Sequence, residues 1–303
     1  SAFDVKSQLS LLVVCGLVLL FLVGCSPSAT PAADADNILR VGNGAEPQEL
    51  DPQIVTGIPE QRLTSTLFEG LVDADPETLD PIPGAAESWT MSEDGTQYIF
   101  RLQPNGRWSN GDPVTAQDFV YSWRRILTPG LASEYAYMLY CLKNAEAYHA
   151  GDTDDFSQVG VRALDDRTLE VTLESPTPYF LSMQIHHAWF PVHPPTIEAF
   201  EAQSRRGAKW TQPGNIVGNG AFVLQEWSPN RVIRVVKNTV YWNAGAVRLA
   251  GIEFYPIDDV GAEERAFRSG KLHLTESIPH SKVPVYREKD PDLLQIDPYL
   301  ATY

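Results

Sequence analysis

Three histidines lie close together in this sequence: the adjacent pair His186 and His187, and His193 beyond Ala188-Trp189-Phe190-Pro191-Val192. Clustered imidazoles are the raw material of a metal site or a proton relay. The spacing argues against a metal. Neighbouring side chains of an extended segment point to opposite faces, so His186 and His187 are not expected to share an ion. No cysteine or carboxylate stands beside them to complete a ligand set. Pocket lining or loop packing is the expectation, with no metal and no other cofactor. Cys141, within Tyr137-Met138-Leu139-Tyr140-Cys141-Leu142, sits in an apolar setting that predicts a buried, inert thiol. Tyr137 and Tyr140 are expected to pack. The patterns G-x-x-x-x-G-K-[ST], G-x-S-x-G, H-E-x-x-H and paired C-x-x-C are all absent. No nucleophile or acid–base constellation is visible, so an enzyme is the weakest reading.

Cys25 suggests a different chemistry. It closes the apolar run Leu9–Cys25, followed at once by Ser26-Pro27-Ser28-Ala29-Thr30-Pro31-Ala32-Ala33. A run of about fifteen apolar residues is short for a bilayer span, which needs ~20, and suits a signal-peptide core. The Ser/Pro/Ala stretch cannot pack and reads as a tether. Leu22-Val23-Gly24-Cys25 resembles the bacterial lipobox, which implies a signal peptide over 1–24, a lipidated Cys25 and a membrane tether over 25–36. The alternative is an ordinary secretory signal or a short anchor helix. Lys6 is the only basic residue ahead of the core and no initiating Met is present, so the amino end is expected to be incomplete. After cleavage only Cys25 and Cys141 would remain, and lipid on Cys25 would leave no intramolecular disulfide.

The remainder, about 265 residues, is long enough for two modest domains or one large one. Its aromatic content supports a real core. A net charge of −16 without a basic run argues against nucleic acid. Strands are expected at Ile38–Gly42, Thr96–Leu102, Thr168–Leu173, Ile252–Ile257 and Leu272–Leu274. Ala221–Trp227 and Val232–Val236 flank Ser228-Pro229-Asn230-Arg231 and read as a hairpin. Helices are expected at Leu63–Leu71, closing at Gly70, and at Val260–Ser269, ended by Gly270. Thr115 and Asp118 have the form of a helix start, and Phe119, Val120, Trp123, Ile126 and Leu127 follow as one apolar stripe. The pattern is mixed α/β (α+β), rich in short strands.

Ala86-Glu87-Ser88-Trp89, then Tyr98-Ile99-Phe100-Arg101-Leu102, then the block from Trp108-Ser109-Asn110-Gly111-Asp112 to Trp123 resembles the signature of the peptide-binding lipoproteins of ABC importers. Trp210-Thr211-Gln212-Pro213-Gly214-Asn215-Ile216-Val217-Gly218-Asn219-Gly220-Ala221-Phe222 and Asp297-Pro298-Tyr299-Leu300-Ala301-Thr302-Tyr303 are similar to the oligopeptide-binding branch. The resemblance covers Ile38 to the last residue. Most of this block is expected to be scaffold: Trp108–Asp112 is a turn aiming the helix that starts at Thr115, and Gly218-Asn219-Gly220 reads as a backbone bend or bulge.

The resemblance implies a periplasmic-binding-protein-like lobe formed by 37–68 and 195–298, with a smaller α+β subdomain inserted at 69–194. Residues 299–303 would begin the crossover to a second lobe that the sequence lacks. It also implies a ligand wall. Thr56-Gly57-Ile58 matches the extended segment that pairs its main chain with bound peptide, a mode indifferent to side chains. Tyr135 matches a tyrosine near the ligand, and His186 a histidine near the peptide's carboxyl end, where a cation or an N–H donor is useful. Close relatives carry an acidic residue at the position of Thr56 and proline at the position of His187. The implied function is capture of short peptides for an ABC importer, by a monomer held at the membrane through Cys25 in the periplasm or at the cell surface. Alternatives are another solute (a dipeptide, a murein peptide or a metal chelate), or a surface adhesion or signalling lipoprotein.

Overall fold

A computed structural model describes residues 37–204, 206–207 and 209–296. The lipobox with Cys25, the tether and the 299–303 crossover therefore lie outside the described residues. Ten strands are numbered in chain order. The first sheet joins β1 (Ile38–Gly44), β10 (Gly251–Pro256), β9 (Val232–Lys237) and β8 (Phe222–Ser228) in that spatial order. Leu39 faces Ile252 across the parallel β1–β10 pair, whereas β10–β9 and β9–β8 are antiparallel. The second sheet, wholly antiparallel, has the order β4 (Ala86–Met91), β5 (Gln97–Leu102), β7 (Thr168–Thr172), β6 (Val161–Asp165). A small hairpin of β2 (Val72–Ala74) and β3 (Pro81–Pro83) precedes it. Neither that hairpin nor β4 is among the strands expected from the sequence.

Strand β5 shows why the second sheet forms. Tyr98, Phe100 and Leu102 alternate with Gln97, Ile99 and Arg101, and only the first set is buried, on one face. Helix α1 spans Ile58–Leu67 and α2 spans Ala116–Leu127. The start of α2 is fixed as its residues require: the Asp118 carboxylate accepts the Thr115 N–H at 2.9 Å and the Trp108 indole N–H at 3.0 Å. Phe119, Trp123, Ile126 and Leu127 are all fully buried. The Trp123 indole donates to the Trp189 carbonyl at 3.1 Å, and the two rings meet edge to face. Cutting Phe119 or Trp123 to alanine costs about 3–5 kcal/mol at such sites. Helix α3 (Val260–Arg268) begins with the Asp259 carboxylate accepting the Ala262 N–H and is followed by Gly270 at a φ of +75°.

Two expectations are corrected, and the bend expected at Gly218-Asn219-Gly220 gains a cause. The helix expected over Leu63–Leu71 starts earlier and ends earlier, because Pro59 pre-sets the first turn of α1 and Phe68 turns extended. Leu67 then gives its carbonyl to the Gly220 N–H at 2.9 Å. The Gly-Asn-Gly segment is a close crossing: a Cβ on Gly218 would lie 2.0 Å from the Leu67 carbonyl oxygen. Leu272–Leu274 makes one bridge, Val41 to Leu274, and no ladder. The His273 ring takes the Arg40 N–H at 3.1 Å in place of a strand carbonyl, while the His273 N–H reaches the Arg40 carbonyl at 2.8 Å and the Gly42 N–H the Leu274 carbonyl at 2.9 Å.

Candidate ligand-binding site

Residues 50–55 are buried without forming helix or strand, and the chain surfaces at Thr56. Gly57 is extended, with φ −90° and ψ 153°, and caps α1. Ile58, 55% exposed, is already the first helical residue, so the extended segment stops at Gly57. The Glu60 carboxylate lies over Gly57, where a Cβ would come within 2.1 Å of it, and it also accepts the Gln48 N–H at 2.9 Å. An open groove of about 590 Å³ runs along Ile54–Gly57, with Glu60, Glu134 and Arg206 among its walls.

Tyr135 joins this groove through Thr56: its hydroxyl donates to the Thr56 carbonyl at 3.5 Å. The Tyr135 ring meets His186 edge to face at 4.7 Å and His187 at 5.5 Å. Three of the residues singled out in the sequence, Thr56, Tyr135 and His186, thus converge, although 130 positions separate the first from the last. Tyr137 does not pack as expected. It is 59% exposed, near Tyr135 at a ring distance of 6.2 Å. Cys141 is half-buried, and burial pushes its thiol up to about 12, in keeping with an inert role.

The histidine pair departs from the extended-chain expectation. The His186 and His187 rings lie close on one side, centres 4.1 Å apart and tilted by 33°, because His187–Trp189 form a single tight helical turn capped by His186. The His186 Nδ1 accepts the Ala188 N–H at 3.2 Å, so its proton resides on Nε2 when the ring is neutral. The His187 Nδ1 lies 2.6 Å from the Pro52 carbonyl, which can only accept, so that ring carries its proton on Nδ1. Burial, then the neighbouring His187, hold His186 down at about 4. Burial lowers His187 as well, against the Pro52 carbonyl and Asp51. At neutral pH His186 is an uncharged N–H donor. Among the described residues no group of three or more His, Cys, Asp or Glu is placed to hold a metal ion.

Two buried carboxylates, one beneath the groove and one away from it, escaped sequence reasoning. Asp51 is buried in an ion pair with Arg125, 74 positions away, and nothing in the local sequence signals it. Glu69, in Leu67-Phe68-Glu69-Gly70, is buried against Tyr241 and Trp242, and burial raises it to about 8.

Residues 80–303 match the bacterial extracellular solute-binding proteins, family 5 Middle. The chain is 39% identical to the periplasmic oligopeptide-binding protein OppA of Escherichia coli K12, over 91% of this chain and 50% of that protein. It is 37% identical to the periplasmic murein peptide-binding protein MppA of the same organism, again over 91% of this chain and 50% of the relative. The solved structure of Haemophilus influenzae OppA in complex with the peptide RPPGFSPFR superposes with a TM-score of 0.79 at 34% identity, covering 84% of this chain and 49% of that one. The chain spans about half the length of the curated relatives it matches. Among the described residues no helix is long and apolar enough to cross a membrane. With its mixed α/β architecture matching the solved relatives over that half, this chain belongs to the family 5 bacterial extracellular solute-binding proteins.

Proposed function

We propose that the protein captures short peptides outside the cytoplasm and delivers them to the membrane subunits of an ABC importer. The observation that carries this reading is the convergence of the Thr56 carbonyl, the Tyr135 hydroxyl and the His186 ring beside an open groove. A main-chain carbonyl and an extended Gly57 suit a peptide backbone, whose N–H and C=O pattern is common to all sequences. The neutral His186 Nε2–H suits a carboxylate or carbonyl of the ligand. Ile58 contributes an exposed apolar surface at the end of the segment. The protein is not an enzyme on this reading, and it takes no cofactor. Relatives named for oligopeptide and murein peptide binding support the peptide class.

The same proposal divides the chain into a lobe of 37–68 with 195–298 and an inserted subdomain of 69–194. The parallel pairing of β1 with β10 supports this division. It includes a signal peptide over 1–24, lipid on Cys25, a tether over 25–36, and a monomeric protein at the membrane surface.

A second reading keeps the fold and changes the solute. A relative 38% identical is named a probable deoxycholate-binding periplasmic protein, so likeness of this degree spans different ligands. Thermal unfolding of the full-length protein with tri- to pentapeptides, and separately with deoxycholate, tests both. Stabilisation by peptides with no hydrolysis of them is expected. Stabilisation by deoxycholate alone would transfer the proposal to that class, and turnover of peptide would revive an enzyme.

A further inference from the structure

Arg125, in the last turn of α2 and only 3% exposed, uses every N–H of its guanidinium. Its Nη1 donates to Asp51 Oδ1 at 3.1 Å and to Gln53 Oε1 at 2.7 Å. Its Nη2 donates to Asp51 Oδ2 at 2.6 Å and to the Ala202 carbonyl at 2.9 Å, which Nε reaches at 3.1 Å. Five donors and five bonds leave no orphan. Further tethers reach the same short segment. Gln53 Nε2 donates to the Ser122 carbonyl at 2.7 Å, Ser133 Oγ to the Gln53 carbonyl at 2.6 Å, and His187 Nδ1 to the Pro52 carbonyl at 2.6 Å. Residues 51–53 are thus fixed from α2, from Ser133 and from the histidine turn, three residues before Thr56.

This density needs a reason. A buried, irregular segment pairs only part of its main chain by itself, here through the Asp51 carbonyl, which takes the Ile54 and Val55 N–H groups, so side chains must take the rest. A buried ion pair is nevertheless a weak source of stability, because apolar residues of similar volume often serve the fold as well. What such a pair does supply is a defined geometry. Residues 51–55 lead directly into the exposed Thr56 and the extended Gly57.

We propose that Arg125 is a positioning residue of the ligand wall: through Asp51 and Gln53 it holds the Thr56 carbonyl and the Gly57 backbone in the conformation a peptide meets, so that binding needs no reordering of the wall. This rests on the reading of Thr56–Gly57 as the surface that contacts peptide. A preformed wall and a partly formed one differ in the fraction of molecules ready to bind, and the apparent dissociation constant scales inversely with that fraction. The effect belongs to the association rate. Once peptide is seated, the contacts are unchanged and so is its escape.

The test is the full-length protein carrying Asp51→Leu with Arg125→Met, which removes both charges together and strands neither. Stopped-flow binding of trialanine and pentaalanine, and amide hydrogen exchange of 53–57 without ligand, are compared with the unaltered protein. The expected result is association slowed by about tenfold or more, dissociation unchanged, and faster exchange over 53–57. Association and exchange at the unaltered rates overturn the proposal, as does a change confined to dissociation. Should the double variant not fold, Gln53→Met removes one of the two side chains through which Arg125 acts and leaves its ion pair with Asp51; about threefold slower association with faster exchange is expected, and no change in either overturns the proposal. If the unaltered protein binds neither peptide, the proposed function fails, and hydrogen exchange alone then decides whether Arg125 positions the wall.

Discussion

Asn219 holds both main-chain groups of Glu69, its Oδ1 accepting the N–H at 3.0 Å and its Nδ2 donating to the carbonyl at 2.8 Å. An asparagine side chain here substitutes for a strand partner at a point where α1 has just ended. The Glu69 carboxyl is thereby fixed toward Tyr241, whose hydroxyl it meets, and Trp242, whose indole donates to Oε2 at 2.7 Å. The contact ties the start of the segment 69–194 to the loop between β9 and β10.

That burial makes Glu69 a source of pH-dependent stability. Desolvation raises its carboxyl from 4.5 to about 8, opposed by the bonds from Tyr241 and Trp242 and aided by Asp73. The folded protein therefore holds this proton more tightly than the unfolded chain. The contribution is complete below pH 4.5 and is lost as pH rises through 8. Its size is on the order of a few kcal/mol. Urea unfolding of the wild type and Glu69→Gln across this window is expected to show the wild type falling relative to the variant. Parallel curves would place Glu69 in a solvated site.

Two glycines are needed for different reasons, and substitution separates them. Gly218 has an unexceptional φ, but its Cβ would strike the Leu67 carbonyl, a backbone atom that cannot swing aside. Gly111, in the Trp108–Asp112 turn, has open space around it and a φ of +96°. Gly111→Ala is expected to cost about 1–2 kcal/mol for the left-handed backbone. Gly218→Ala should cost about 3 kcal/mol or more, since the crossing of two chains must open. Equal losses in chemical denaturation would mean that the crossing yields to a methyl group.

The parts of the fold readable from sequence were those fixed by neighbours in the chain. Thr115 and Asp118 mark the start of α2, Phe119 to Leu127 carry its stripe, and Tyr98, Phe100 and Leu102 alternate as β5 does. The hairpin of β8 and β9 turns where Ser228-Pro229-Asn230-Arg231 says it should. The β2–β3 hairpin was hidden by Pro81 and Pro83, residues that ordinarily oppose a strand, and β4 by its mostly exposed pattern. The start of α1 was hidden because Pro59-Glu60-Gln61 carries no apolar periodicity. Tyr135 and His186 were singled out only by family likeness, since their contact is a product of tertiary folding. The pairing of Arg125 with Asp51 had no local signature at all: an arginine in a last helical turn ordinarily faces water.

Lipid attachment at Cys25 is the part of the proposed function that rests on the Leu-Val-Gly-Cys junction and the Ser/Pro/Ala stretch after it. Cys25→Ala in the full-length precursor is expected to leave it uncleaved or to release a mature-length protein from membranes, seen by fractionation and immunoblotting. A variant processed and retained like its parent would remove the lipobox from the account.

His186 should behave as a neutral ring throughout the range in which histidines ordinarily titrate. Burial, and then the neighbouring His187, depress it from 6.5 to about 4. The folded protein binds this proton less readily than the unfolded chain does. The stability that follows is fully present above pH 6.5 and is lost as pH falls towards 4, a slope opposite in sign to that of Glu69. Replacing His186 with glutamine keeps a donor and removes the titration, so the variant is expected to resist acid better than the wild type over that window. Nuclear magnetic resonance of the ring should report a midpoint near 4 rather than 6.5. Peptide affinity should then be flat between about pH 6 and 8, because the donor is the uncharged Nε2–H. A ring that titrates near its ordinary value of 6.5 would be solvated, and peptide affinity would then change between about pH 6 and 7 instead of staying flat.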